Sequence, residues 1–252
     1  MYAQALACQI IPYGNNPKAG NFIKANGNSF YYETYGKGEP LVLLHGGFQS
    51  IAVFKNQIPA FSKQFKVILI DTRGHGKSAN DTSLRLSYDL FAEDVNKILE
   101  LLKINNVNIV GWSDGGNTAL LLALKYPERL KKVCFTGTNL FSGDDAIQPA
   151  MLHEWKAQQK KLQNATKVND VFKKKMIEMF LTEPNHTFEE LKNINIPILI
   201  MAGQKDIIKE QHTREIAKNI KSSTLLIFPN ETHFVVVENP ALFNKTVLDF
   251  LK

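Results

Sequence analysis

The stretch Val107-Asn-Ile-Val-Gly-Trp-Ser-Asp-Gly-Gly116 carries most of the information about the fold. Val107 to Val110 is an apolar run of strand length, and the small-residue-rich segment after Gly116 reads as a helix that runs to Tyr126 and is stopped by Pro127. Between them lies Gly111-Trp-Ser113-Asp-Gly115, a G-x-S-x-G pattern. The pattern alone is weak, and its position directly between a strand and a helix makes it specific. A turn this sharp needs residues without bulk two places before and after the serine, and Gly111, Gly115 and Gly116 satisfy that. It holds Ser113 in a strained backbone conformation and lifts the hydroxyl above the sheet. The helix N-terminus beneath it favours developing negative charge. The competing reading is a glycine-rich strand–helix turn with no chemistry.

Outward from this turn, strands and helices alternate. Upstream, Phe22 to Ala25 and Asn28 to Tyr35 flank Asn26-Gly27 and predict a hairpin with a type I′ turn. Pro40 to Leu44 is a short apolar strand running into His45-Gly46-Gly47, followed by a helical stretch from about Ile51 to Phe65. Lys66 to Ile70 is the next strand, and the loop Asp71-Thr-Arg-Gly-His-Gly-Lys-Ser78 follows it. Ser87 is placed to cap an amphipathic helix reaching Lys103, with Leu90, Phe91, Val95, Ile98, Leu99 and Leu102 on one face. Downstream, Val133 to Thr136 is a strand. Pro197 to Met201 and Thr224 to Phe228 are two more, with helices at His212 to Ile220 and Pro240 to Lys252.

This alternation predicts an α/β architecture, a mainly parallel sheet with helices on both faces. Residues 140–196 break the rhythm. They are poor in strands, rich in Lys and Gln, and predict helices at Pro149 to Gln163 and Val168 to Leu181. A block this short is expected to lie over the end of the sheet as a helical lid inserted after the sixth strand. The expected division is a polar, turn-rich lead-in over residues 1–21 and one domain over residues 22–252.

With 252 residues, 44% hydrophobic and 21% charged, the composition is that of an ordinary soluble globular chain. The net charge of +6 is spread along the sequence, with lysines interleaved among Asp and Glu, which suits a solvated surface better than a nucleic-acid groove. No apolar run is long enough to span a bilayer. Met1 to Ile11 is apolar but has no basic flank, so it makes a poor signal peptide. The sequence is compatible with a cytoplasmic chain or with one whose export signal has been removed. Two cysteines, Cys8 and Cys134, give no disulfide framework and no metal cluster, and Cys134 reads as a small core residue. No G-x-G-x-x-G follows a strand and no metal-ligand spacing occurs, so no cofactor is expected.

A serine hydroxyl needs a base to become a nucleophile. Of six histidines, His233 in Pro229-Asn-Glu-Thr-His233 follows the last predicted strand. His45 and His75 sit in glycine-rich loops and are expected to hold those loops by hydrogen bonding, and His153, His186 and His212 read as surface residues. Asp206, one strand–helix unit before His233, is the expected partner of the base. Asp144 and Asp145 are weaker alternatives, and a helix cap is the structural reading of Asp206. Two backbone N–H groups should face a developing oxyanion. Asp114, after the serine, offers one, and the loop after the third strand offers the other, from Gly47 or else Phe48. Phe48 and Trp112 are candidates for the substrate pocket. The Asp114 side chain has two readings, a helix cap or a contact for a substrate ammonium group.

His45-Gly46-Gly47, Asp71-x-Arg73-Gly-His-Gly76-x-Ser78, Gly111 to Gly116, Gly203-x-x-Asp206 and His233, in this order, resemble the α/β-hydrolase superfamily from about Phe22 onward. The resemblance implies the α/β-hydrolase fold, a Ser113–His233–Asp206 triad and a structural role for residues 71–78. It implies a small-molecule substrate and leaves its class open, since the fold hosts hydrolases of esters, lactones, amides and carbon–carbon bonds. Ser113 argues against the branches that use an aspartate nucleophile. The chain departs from the family in its short inserted block and in Asn230-Glu-Thr232, where relatives often carry glycine. The leading expectation is an acyl hydrolase of a small ester. The alternatives are hydrolysis of one of the other bonds, or a catalytically silent binding or signalling protein.

Overall fold

The computed structural model describes residues 11–80 and 83–252, and Cys8 with most of the N-terminal apolar run lies outside them. β1 (Gly20–Ala25) and β2 (Asn28–Tyr35) form the expected hairpin, with Asn26 and Gly27 both at positive φ as the turn requires. The preceding lead-in is pinned to it. The N–H groups of Gly14 and Asn16 donate to the Glu33 carboxylate at 3.0 and 2.8 Å, and the hydroxyls of Tyr31 and Tyr35 donate to it at 2.8 Å each.

β3 (Glu39–Leu44), β4 (Phe65–Ile70), β5 (Val107–Trp112), β6 (Leu130–Thr136), β7 (Ile198–Lys205) and β8 (Ser223–Thr232) complete one eight-stranded sheet in the order β1-β2-β4-β3-β5-β6-β7-β8. β1 and β2 pair antiparallel, as do β2 and β4, and every other pairing is parallel. Successive residues of the central strands enter opposite layers. Val42, Leu44, Ile68, Ile70, Ile109 and Phe135 pack on one side with α2 (Tyr88–Leu101) and α3 (Asp114–Lys125). Leu41, Leu43, Val67, Leu69, Val110 and Cys134 pack on the other, with the short α1 (Ile58–Phe61) and the C-terminal helix. Burial on both faces explains why these strands are continuous apolar runs.

The helix expected over residues 51–65 is instead a 3₁₀ turn at Ile51–Phe54 followed by the single turn of α1. Pro59 has no N–H to bond the carbonyl of Lys55, so a continuous helix cannot pass through it. The Ser87 cap is present: its hydroxyl accepts the N–H of Leu90 at 3.1 Å.

Between β6 and β7 lie α4 (Pro149–Lys161) and α5 (Val168–Thr182), packed on each other. The chain enters and leaves this block at one point. Phe141 and Asn185 form an antiparallel bridge, and the His186 N–H donates to the Leu140 carbonyl at 3.1 Å. After β7 come α6 (Glu210–Asn219), then β8, the short α7 (Val235–Glu238) and α8 (Pro240–Leu251). His212 is not a surface residue. It points inward from α6, accepts the Leu140 N–H on Nε2 at 3.0 Å and meets the rings of Phe141 and Phe188. Its turn of α6 faces the sheet, a placement that the polar flanking residues Gln211 and Arg214 hide in the sequence.

Candidate active site

Ser113 sits between β5 and α3 at φ 56° and ψ −119°, a conformation few non-glycine residues adopt. The turn is held by the Ser113 N–H, which donates to Thr136 at 2.9 Å. A Cβ at Gly115 would lie 2.0 Å from the Leu44 carbonyl oxygen, so only glycine lets the start of α3 pass this close to β3.

Three strand ends bring three distant residues together. His233, just after β8, places Nε2 3.0 Å from the Ser113 hydroxyl and Nδ1 2.7 Å from Asp206 Oδ1. Asp206 follows β7, and its Oδ1 also accepts the Ile208 N–H at 3.0 Å. Asp206 and His233 are both buried. An ionised carboxylate can only accept, so the ring proton belongs on Nδ1 and Nε2 is left free to accept from the serine. The imidazole lies against Gly137, at φ +66°, where a Cβ would come within 2.5 Å of the ring. Asn230, near the end of β8 and three residues before His233, takes φ 62°, in the left-handed region that asparagine enters more readily than most side chains. Asp144 and Asp145 are exposed and take no part.

The His45 and His75 rings are buried and hold the neighbouring loops. His45 Nε2 accepts the Thr72 N–H at 3.1 Å, and His75 Nε2 accepts the Phe48 N–H at 3.1 Å. Burial pushes His45 down to about 4 and, with His45 beside it, His75 down to about 3, so both are neutral near pH 7. Phe48 is itself at φ 58°, and its N–H is spent on His75. That leaves Gly47 as the backbone donor of this loop. Among the described residues, none is found to accept the N–H of Gly47 or of Asp114.

Above Ser113 is a cavity of about 470 Å³, floored by Gly47, Trp112, Asp114 and His233 and roofed by α4 and α5. Phe48 and Trp112 both line it, Phe48 half exposed at the mouth and Trp112 buried, with its indole N–H donating to the His233 carbonyl at 2.9 Å. The Asp114 carboxylate makes no helix cap. Oδ1 accepts the Tyr88 hydroxyl at 2.9 Å, while Oδ2 is buried and has no hydrogen-bond partner among the described residues. Burial raises Asp114 to about 7, against the lowering effect of Tyr88 and His233.

A family model described as alpha/beta hydrolase fold matches residues 39–184, more than half of the chain. The chain belongs to the α/β-hydrolase family. The human serine hydrolase BPHL is 30% identical over 252 aligned residues, which take in 91% of this α/β hydrolase and 85% of BPHL. A 2-hydroxymuconate semialdehyde hydrolase from Pseudomonas sp. (strain CF600) is 25% identical, with 94% and 95% of the two chains covered. Among solved structures, the enol-lactonase of Burkholderia xenovorans LB400 superposes with a TM-score of 0.76 at 23% identity, covering 92% of this chain and 99% of its own. At that identity the likeness speaks for the fold. Together these matches establish a hydrolase, and among its described residues no helix is long and apolar enough to cross a membrane.

Sequence reasoning missed several residues of this α/β hydrolase's cavity, chiefly Tyr88, Asn139 and Glu183. Tyr88 had a usable signal: a tyrosine on the buried side of a helix needs a partner for its hydroxyl, and here that partner is Asp114. Asn139 and Glu183 lie in irregular segments with no periodicity to place them.

Proposed function

We propose that this hydrolase cleaves a small ester through an acyl-enzyme intermediate, with Ser113 as nucleophile, His233 as base and Asp206 as the group that orients it. The observation that carries this reading is the continuous chain from the Ser113 hydroxyl through His233 to Asp206, at 3.0 and 2.7 Å, beneath the cavity. Ser113 Oγ attacks the ester carbonyl as its proton passes to His233 Nε2. The N–H groups of Gly47 and Asp114 meet the resulting oxyanion. His233 returns the proton to the leaving alcohol, and Asp206 stabilises the imidazolium in between. A water then repeats the sequence on the acyl-enzyme and releases the acid.

Ser113→Ala should abolish turnover of short p-nitrophenyl esters and labelling by a fluorophosphonate, and its unfolding curve should stay close to that of the wild type. Near-normal turnover by the folded variant would end the serine-hydrolase reading. Labelling of the wild type without ester turnover would move the assignment to an amide or a lactone.

Within this reading the Asp114 carboxylate favours esters whose acyl group carries an ammonium beside the carbonyl. Support comes from the place of Asp114, which follows Ser113 in the chain and lines the cavity, and from its Oδ2, which has no hydrogen-bond partner among the described residues. A buried carboxylate left half satisfied is costly, and an ammonium supplies both the missing hydrogen bond and the opposite charge.

A further inference from the structure

The cavity is lined by three carboxylates, Asp114, Glu154 and Glu183, against one ammonium, Lys173. Glu154 and Lys173 are exposed at the rim, where water screens them. Glu183 is different. It caps the C-terminal end of α5, and its side chain is only 16% exposed. Among the described residues its ion-pair partner is Arg85, at 3.4 Å, whose own side chain is 77% exposed. A contact that long to so exposed a cation leaves the carboxylate poorly compensated. Burial accordingly raises Glu183 above the ordinary range of glutamate, with Asp89 adding to the effect and Arg85 and His186 opposing it. Tyr88, whose hydroxyl donates to Asp114 at 2.9 Å, lines the cavity together with both carboxylates, and Glu183 adds to the electrostatic effect on that hydroxyl. Asp114 is thus a second carboxylate in the lining of the same cavity.

We infer that Glu183 selects acyl groups that carry a cation at the end remote from the carbonyl, such as an ω-ammonium or a guanidinium. The inference rests on the ester-hydrolase reading for its chemistry and not for its binding site. With the carbonyl fixed at Ser113, the acyl chain extends under α5. A remote cation reaching Glu183 gains a partly desolvated ion pair, which is worth more than the same pair in water. An acyl chain ending in a methyl group leaves Glu183 as it is, and one ending in a carboxylate is repelled.

The test uses p-nitrophenyl esters of 4-aminobutanoate and 6-aminohexanoate, the neutral esters of matched length, and the adipate half-ester. The wild type should favour one of the ammonium esters over its neutral match by about tenfold in kcat/KM, with the difference in KM. In Glu183→Gln that ratio should fall towards one, and in Glu183→Lys the adipate half-ester should become the better substrate. Equal turnover of ammonium and neutral esters by the wild type would overturn the inference. So would a preference that survives in Glu183→Gln but disappears in Asp114→Asn, or a wild-type preference for the adipate half-ester. If the wild type turned over no ester, the ester reading would fall while this one stayed open to measurement. Calorimetric titration with 6-aminohexanamide and hexanamide would then show tighter binding of the amine in the wild type alone, and equal binding would overturn the selection.

Discussion

At the scale of single residues, the Asp206–His233 contact makes the sharpest forecast. Asp206→Asn preserves shape but replaces the acceptor at 2.7 Å from Nδ1 with a group that can donate, so the ring proton moves to Nε2 and the serine loses its base. The expected loss in kcat approaches the roughly 10⁴-fold seen for this change in serine proteases. Asp144→Asn, at an exposed position, should change kcat little, and the reverse pattern would reassign the acid. Asp114 makes a second forecast. Asp114→Ala should raise KM for α-amino esters and spare their deaminated analogues. Because burial places this carboxyl at about 7, the preference should weaken as pH falls below that value and the carboxylate takes up a proton. Equal kinetic effects on the two ester types would remove the ammonium contact.

Elements set where these residues stand. The β5–α3 turn works only because α3 begins hard against β3, and the obstacle that a side chain would meet there is backbone. Gly115→Ala drives its new methyl into the Leu44 carbonyl oxygen, which cannot rotate away as a side chain would. The expected cost is about 3 kcal/mol or more, read as a lower denaturation midpoint, together with lost turnover as Ser113 is displaced. This much was legible in the sequence, since a strand, a glycine-flanked serine and a helix in succession admit few geometries. The Ser87 cap and the Asn-Gly hairpin were legible for the same reason, each being a local rule tied to one or two residues. What resisted reading was non-local. The expected helix over residues 51–65 fails at Pro59, and part of the cavity lining comes from irregular stretches whose positions depend on packing against partners far along the chain. Asn139 and Glu183 are examples, one in the loop after β6 and the other at the end of α5.

For the molecule as a whole, His212 ties the inserted block to the sheet layers and makes their union sensitive to acid. Burial lowers this imidazole to about 4 from its ordinary 6.5. Between those values the unfolded chain binds a proton that the folded chain refuses, so stability from this site is present above about 6.5 and is lost as pH falls towards 4. His212→Gln keeps an acceptor for the Leu140 N–H but loses ring packing, so at pH 7 the variant should be the less stable of the two. The gap should narrow on acidification by up to roughly 3 kcal/mol, the free energy that separates titration at about 4 from titration at 6.5. Urea denaturation of both proteins at pH 7, 6 and 5 checks this, and a gap independent of pH would show that the ring titrates normally.

The joined entry and exit of the inserted block bear on how such a protein acquires new substrates. Because Leu140 meets His186 and Phe141 meets Asn185, the two ends of the excursion are already closed on each other before the helices are counted. Lengthening, shortening or exchanging the helices between them imposes no new distance on β6 or β7, and a longer loop adds only logarithmically to the entropy of closure. The roof is therefore an interchangeable cassette, clipped at its neck. Recombination within that neck can trade one acyl preference for another, while Ser113, Asp206 and His233, all carried on strand ends outside it, are inherited unchanged.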